Sequence, residues 1–325
     1  MQDKKRGITS FLLIAFGLTW GIAGIGALFG ISAGSGASYV AMAALCMFGP
    51  ALAAVVQHRK IEGRPWQELG LHWNLIRWKY LVWTCLIGLC IVPLTMVVVH
   101  VFGNQFGMDP FGHVAVTGER FATAIAELMA AKGVTAEGSS VPSALSRLPG
   151  GLILLASLLG ALFTAFTVNL PFMMGEELGW RGYLYKATAQ WPALERILLT
   201  GFFWGLWHAP LIAMGHNYPG HPIAGIGLMV VFCVLLAFLF DWCRTRTNSV
   251  WGAAVLHGLI NGSAGAMALF AWGGSVLVAS PAGVAGFIAI AVLVLAVLLI
   301  DGNYRRNLFV AATRNVGITD QVPRF

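Results

Sequence analysis

The chain has 325 residues, of which 58% are hydrophobic and only 10% are charged, and its mean hydropathy is +0.77. Soluble domains carry about 25% charged residues, so this composition excludes an ordinary water-soluble globular protein. The formal charge of +7 indicates membrane topology rather than a nucleic-acid partner, because the basic residues are distributed asymmetrically along the chain.

Eight apolar segments are long enough to cross a bilayer, which takes about 20 residues in a helix. The predicted spans are 9–31, 39–57, 79–102, 151–174, 197–214, 223–241, 250–271 and 284–301. We therefore predict an all-α, polytopic membrane helix bundle of about eight transmembrane helices. It is expected to form a single integral membrane domain over residues 1–325, with both termini on the same side.

The loops between the spans predict the orientation. Of the 20 Lys and Arg residues, Arg120, Lys132 and Arg147 lie in the loop 103–150, and all the others lie in segments on the opposite side. The positive-inside rule then places both termini in the cytoplasm and this loop outside. A short amphipathic helix is predicted within the loop from Glu119 to Lys132. The expected location is the plasma (inner) membrane.

The first polar cluster lies at the cytoplasmic end of the fourth span, where Pro171 is expected to let the chain bend inward. Ionisable side chains in a bilayer are costly, and they usually mark function. Glu177 and Arg181 are four residues apart, so they can pair on one helix face and hold the helix end. Glu176 points about 100° away and is left without that partner, which suits a general base. A salt-bridged cap on a helix end is the alternative.

Two further clusters lie within the fifth and seventh spans. His208 is predicted about 16 Å from the cytoplasmic end of its helix, and Pro210 is expected to loosen the helix there. His257 and Asn261 are four residues apart and face the same way. Each cluster alone is compatible with an ordinary interhelical hydrogen bond. Together, a carboxylate, two imidazoles and an amide at similar depth predict a hydrolytic site in a shared polar cavity.

These three clusters resemble the motifs of the CPBP (Abi) family of intramembrane peptidases, which is related to the type II CAAX prenyl endopeptidases. The family motifs Glu-Glu-x-x-x-Arg, Phe-x-x-x-His and His-x-x-x-Asn occur here, in order, within a predicted catalytic core 151–271. They appear as Glu176-Glu177-x-x-x-Arg181, Trp204-x-x-x-His208 and His257-x-x-x-Asn261. Trp204 replaces the usual Phe, and only packing is expected to differ because an aromatic ring is kept.

The resemblance implies an eight-helix fold whose cavity opens toward the cytoplasmic leaflet, and hydrolysis of a peptide bond in a membrane-associated protein or peptide. On this reading Glu176 activates a water molecule, His208 orients it, and His257 and Asn261 stabilise the oxyanion, with no cofactor required. The predicted site residues are Glu176, Glu177, Arg181, His208, His257 and Asn261.

Two alternatives stay open from the sequence. His208, His257 and a glutamate also form a set of ligands that zinc enzymes use, so a zinc-assisted reaction is the first. The second is a non-catalytic membrane protein on the same fold, such as a transporter or a factor for assembly or bacteriocin immunity. Buried carboxylates and histidines also form proton relays in carriers.

Overall fold

The computed structural model describes residues 2–131, 133 and 141–310, and these residues form a bundle of helices. The α-helices are α1 (Gln2–Leu28), α2 (Ala37–Met47), α3 (Gly49–Ala54), α4 (Trp78–Val99), α5 (Gly118–Ala131), α6 (Val141–Ser146), α7 (Gly150–Phe166), α8 (Leu170–Glu177), α9 (Tyr185–Ala187), α10 (Ala193–Trp207), α11 (Ala209–Ala213), α12 (Pro222–Thr247), α13 (Val250–Phe270), α14 (Val276–Ala279), α15 (Val284–Ile300) and α16 (Gly302–Arg306). Short π-helical segments occur at Val55–Ile61, His100–Gln105 and Leu178–Leu184, and 3₁₀ turns at Trp66–Leu69 and Asp109–Phe111. Strands β1 (His113–Val114) and β2 (Ala271–Trp272) pair antiparallel.

The prediction of an all-α membrane bundle is confirmed. Within the described ranges, six helical stretches are long and apolar enough to cross a membrane. They are Arg6–Leu28, Ala37–Ile61, Trp78–Gln105, Pro222–Thr247, Val250–Phe270 and Val276–Ile300. The pair Gly150–Phe166 and Leu170–Ala187, bent by 62°, adds a seventh if it is one span. The sharp bend lies at the place where Pro171 was expected to redirect the chain.

The fifth predicted span is broken rather than continuous. Helix α10 ends at Trp207, α11 begins at Ala209, and His208 lies at the junction. Pro210 lies in the first turn of α11, where its missing N–H costs little. This break agrees with the loosening expected from Pro210, and it leaves neither helix long enough to span alone. The count of eight spans and the cytoplasmic placement of the termini stay predictions.

The predicted amphipathic helix of the outer loop is present as α5. Arg120 on this helix makes an ion pair with Glu127 at 3.0 Å and lies over the ring of Trp272 at 5.2 Å. The predicted last residue of that helix, Lys132, lies outside the described residues, as do residues 134–140 of the loop and the segment 311–325.

Helix α13 lies at the centre of the bundle. In its most apolar window 67% of the residues are buried, compared with 28–39% in the other five long stretches. A helix that faces lipid exposes much of its surface, so α13 is surrounded mainly by protein. The third motif, which begins at His257, is therefore carried into the interior by the most enclosed of the six long helical stretches.

Candidate active site

A sharp turn between α7 and α8 directs the first motif into the bundle. Helix α7 ends at Phe166, and Pro171 lies in the first turn of α8. The side-chain amide Nδ2 of Asn169 donates to the main-chain oxygen of Gly258 at 3.1 Å. This bond fixes the start of α8 against α13 one residue from His257. The two acidic residues at the end of α8 consequently face the central helix.

Small residues allow the helices around the cluster to approach closely, as is common in membrane bundles. A Cβ atom added at Gly201 or Gly205 of α10 would lie 2.5 Å from the Cα atom of Val234 or Val230 of α12. A Cβ added at Gly258 of α13 would lie 2.9 Å from a Cα atom of α7. Real Cβ atoms do not approach this closely, so any larger residue would push these helices apart.

Glu177, Arg181 and His257 form a buried ion cluster. The Arg181 guanidinium donates through Nη1 to both carboxylate oxygens of Glu177, at 3.0 and 3.1 Å, so the predicted pair is present. The imidazole Nδ1 of His257 lies 2.9 Å from Glu177 Oε1. An ionised carboxylate only accepts hydrogen bonds, so the proton is assigned to Nδ1 and the Nε2 atom is left for another partner.

Glu176 has a partner that the sequence argument missed. The indole Nε1 of Trp204 donates to Glu176 Oε2 at 2.9 Å, and both side chains are buried. Glu176 does not pair with Arg181, as expected, but the expectation that Trp204 changes only packing is wrong. Phenylalanine has the same flat ring face but no N–H, so it could not make this bond.

The Trp204 ring contacts side chains from all three motifs. The Arg181 guanidinium carbon lies 4.2 Å from its centroid, a distance typical of a cation–π contact. The rings of His257 and His208 lie 5.5 and 6.0 Å from it. Five of the six predicted site residues, all except Asn261, are thus within one or two contacts of this indole.

His208 lies at the break between α10 and α11 and is half-buried. Its Nδ1 atom lies 2.8 Å from the main-chain oxygen of Trp204. A carbonyl oxygen only accepts, so Nδ1 carries the proton and the Nε2 atom of the neutral ring has a free lone pair. An imidazole in this tautomer can accept a hydrogen bond from a water molecule.

Asn261 lies at the more open side of the cluster. It follows His257 by one turn of α13, and its side chain is exposed. Its Nδ2 atom lies 3.5 Å from the sulfur of Met173, a residue one turn before the glutamates on α8. The amide is therefore adjacent to the helix that carries Glu176, but it does not contact the carboxylates.

Several N–H groups near the cluster have no acceptor within the described protein. They are Nη2 of Arg181 and the indole Nε1 atoms of Trp180 and Trp207, and all three are buried. A small cavity of about 10 Å³ borders Trp180 and Arg181, which is near the lower limit for one water molecule. The cluster therefore keeps hydrogen-bonding capacity that the protein itself does not use.

The donor set does not fit a metal centre as it stands. Among the residues that the structure describes, no three His, Cys, Asp or Glu side chains come together as ligands for an ion. Glu176 accepts from an indole, and Glu177 is held by Arg181 and His257, whereas Nε2 of both histidines stays available. Zinc assistance through His208, His257 and a glutamate therefore stays an alternative to the metal-free scheme.

The fold and the site are those of an integral membrane protein with carboxylates and imidazoles packed together in its interior. Comparisons with known proteins point to a family of membrane peptidases. Residues 150–263, which include all three motifs, match the family model of the Rce1-like type II CAAX prenyl endopeptidases. Over 92 residues the chain is 33% identical to CAAX prenyl protease 2 of Methanococcus maripaludis. That alignment covers 26% of this chain and about a third (34%) of the relative. These matches confirm the resemblance to the CAAX/CPBP family.

Proposed function

We propose that this protein is an intramembrane endopeptidase that hydrolyses a peptide bond of a membrane-associated protein or peptide. The observation that carries the proposal is the buried contact network of Glu176, Glu177, His257 and Trp204, with His208 against the same indole. Buried ionisable groups from three separate membrane helices are costly unless they perform a function. We place the site toward the cytoplasmic leaflet of the plasma membrane.

The proposed reaction starts with a water molecule held by Glu176 and by Nε2 of His208. Glu176 removes a proton as the water oxygen attacks the carbonyl carbon of the peptide bond. The carbonyl oxygen becomes an oxyanion, for which His257 and Asn261 are the donors. Glu176 then returns the proton to the peptide nitrogen as the C–N bond breaks, which yields a carboxylic acid and an amine. A general base contributes about 10²–10⁴ in rate.

Glu177 and Arg181 hold His257 in this scheme. The Glu177 carboxylate faces Nδ1 of His257, so it orients the ring whose Nε2–H would donate to the oxyanion. One well-placed oxyanion donor contributes about 2.7–4 kcal/mol to the transition state. Arg181 balances the charge of Glu177 from the other side. The pair thereby orients a donor without touching the substrate.

The test compares wild type, Glu176→Ala and His208→Ala in proteoliposomes with a fluorogenic peptide anchored to the membrane. We expect both variants to lose cleavage by at least about 100-fold, since each removes one partner of the water. Glu195→Gln, which alters an exposed acid on α10, is the matched control and should keep wild-type activity. Cleavage that persists in both site variants would refute the enzyme proposal. Loss of solute uptake without cleavage would favour a carrier.

The name of the Methanococcus relative suggests a substrate class for this chain. We propose that a prenylated C-terminal cysteine motif is one candidate substrate. Two peptides of identical sequence, one prenylated and one not, separate this possibility from general peptide hydrolysis. Faster cleavage of the prenylated peptide supports it, and equal rates after correction for membrane binding contradict it.

A further inference from the structure

A cavity of about 470 Å³ lies away from the catalytic cluster, at the ends of three membrane-spanning stretches. The first stretch begins at Arg6, the second ends at Ile61, and the bent pair ends at Ala187, and all three residues line this cavity. The ends of membrane helices lie at the depth of the lipid headgroups. The volume is within the range of small-ligand sites, about 300–1,000 Å³.

Two buried hydrogen-bond acceptors line the cavity without a donor. The side chains of Gln57 and His58 are 2% and 1% exposed. Gln57 donates through Nε2 to Glu62 Oε1 at 3.0 Å, so its unpartnered Oε1 atom is an acceptor. His58 places Nε2 2.9 Å from the main-chain oxygen of Pro65, so in the neutral ring its Nδ1 atom is an acceptor; Nδ1 has no hydrogen-bond partner and lies 4.0 Å from Glu62 Oε2. Buried polar atoms rarely stay unsatisfied. We therefore expect a ligand with O–H or N–H groups to donate to these two acceptors.

The remaining charges favour a ligand that is also anionic. Arg6, Arg64 and Lys186 line the cavity with Glu62 as the one acid among the lining residues. Arg64 is shared between Glu62, at 3.3 Å, and Glu68, which lies outside the cavity and also pairs with Lys186 at 3.6 Å. No ion pair within the described residues involves Arg6, so its charge is available to a bound anion. Basic pockets between membrane helices are a common means of holding phosphate headgroups.

We propose that this cavity binds a phospholipid headgroup that combines a phosphate with hydrogen-bond donors. The phosphate would lie near Arg6, Arg64 and Lys186. The hydroxyl groups of phosphatidylglycerol, or the ammonium of phosphatidylethanolamine, would donate to Gln57 and His58. Phosphatidylcholine carries the same phosphate but has no N–H or O–H, so it should bind this site more weakly. The proposal does not depend on the hydrolase proposal, because it concerns binding alone.

The experiment measures lipid binding to the purified full-length chain in detergent by native mass spectrometry. Phosphatidylglycerol, phosphatidylethanolamine and phosphatidylcholine with identical acyl chains are compared with soluble glycerol 3-phosphate. We expect the two donor-bearing lipids to bind at least about fivefold more tightly than phosphatidylcholine, as one hydrogen bond of about 1 kcal/mol allows. Equal binding of all three lipids would overturn the proposal. Binding of glycerol 3-phosphate as tight as that of the lipids would identify a soluble phosphate compound as the occupant instead.

Variants locate the binding in the cavity. Gln57→Leu removes a buried acceptor and should reduce the preference over phosphatidylcholine. Arg6→Gln changes an exposed residue, so it should fold normally, and it should weaken all three lipids several-fold. Lys60→Gln is the matched control, because it removes one positive charge from an exposed position of the same π-helical segment as Gln57, outside the cavity. Equal weakening by Arg6→Gln and Lys60→Gln would show general surface attraction and refute the site.

Discussion

Replacing Trp204 with phenylalanine tests the proposed reaction most directly. The change keeps a flat aromatic ring between the histidines and removes the indole N–H that lies 2.9 Å from Glu176 Oε2. A hydrogen bond to a charged group contributes about 1.5–3 kcal/mol, and 1.4 kcal/mol corresponds to about a tenfold change. We therefore expect kcat/KM at neutral pH to fall about 10- to 100-fold in Trp204→Phe.

The pH dependence separates this role from a purely structural one. The indole N–H favours the ionised form of Glu176, and the base must be ionised to accept a proton from water. Its loss should move the acidic limb of the rate profile to higher pH. Activity should accordingly recover at alkaline pH. A variant that is merely misfolded would stay inactive at every pH.

The control is Trp207→Phe, measured in the same proteoliposome assay. Trp207 is as deeply buried as Trp204, but its Nε1 atom has no acceptor among the described residues. The substitution therefore removes the same atoms without breaking a hydrogen bond, and the acidic limb should not move. The reasoning is refuted if Trp204→Phe leaves the limb at its wild-type position, or if Trp207→Phe moves it equally far.

Three further predictions concern the stability and the chemistry of the site. Glu177→Gln leaves the Arg181 charge buried without its partner, so it should destabilise the fold by about 3–5 kcal/mol; an unchanged melting temperature in detergent would contradict this. Gly205→Ala places a methyl group 2.5 Å from the Cα atom of Val230 and should lower the melting temperature and the activity together, whereas Gly227→Ala on α12 meets open space and should do neither. Extended dialysis against a chelator should leave peptide cleavage unchanged in the metal-free scheme, and loss of activity that zinc restores would overturn that scheme.

Hydropathy and proline positions predicted most of the helical framework. Apolar stretches of 20 or more residues have few structures available in a bilayer other than a helix, so their helical state follows from sequence alone. Pro171 and Pro210 marked the two places where spans four and five bend or break, since proline cannot continue a helix without a lost bond. The length of the fifth span was less predictable, because the residues after His208 form only a short separate helix.

The partners of the buried glutamates depend on how separate helices align. Glu177 and Arg181 are one turn apart, so their pairing could be predicted from spacing. The bond from His257 to Glu177 joins residues 80 positions apart, and it requires α8 and α13 to meet at one particular height. That height is fixed by contacts such as the close approach at Gly258 and the Asn169 bond, which no helical period encodes. The role of Trp204 was mispredicted for the same reason, since its N–H can be recognised as a donor to Glu176 only when the relative positions of the two helices are known.

The two adjacent glutamates have different hydrogen-bond partners because of the helix geometry. Their side chains point about 100° apart, so they meet different neighbours although they are consecutive in sequence. Glu177 is held by a guanidinium and an imidazole, and its oxygens accept from these two donors. Glu176 receives a single neutral N–H at one oxygen, which leaves acceptor capacity for a water molecule. An acid that must take up and release a proton is better served by this weaker, neutral environment, so we propose the base role for Glu176 and the supporting role for Glu177.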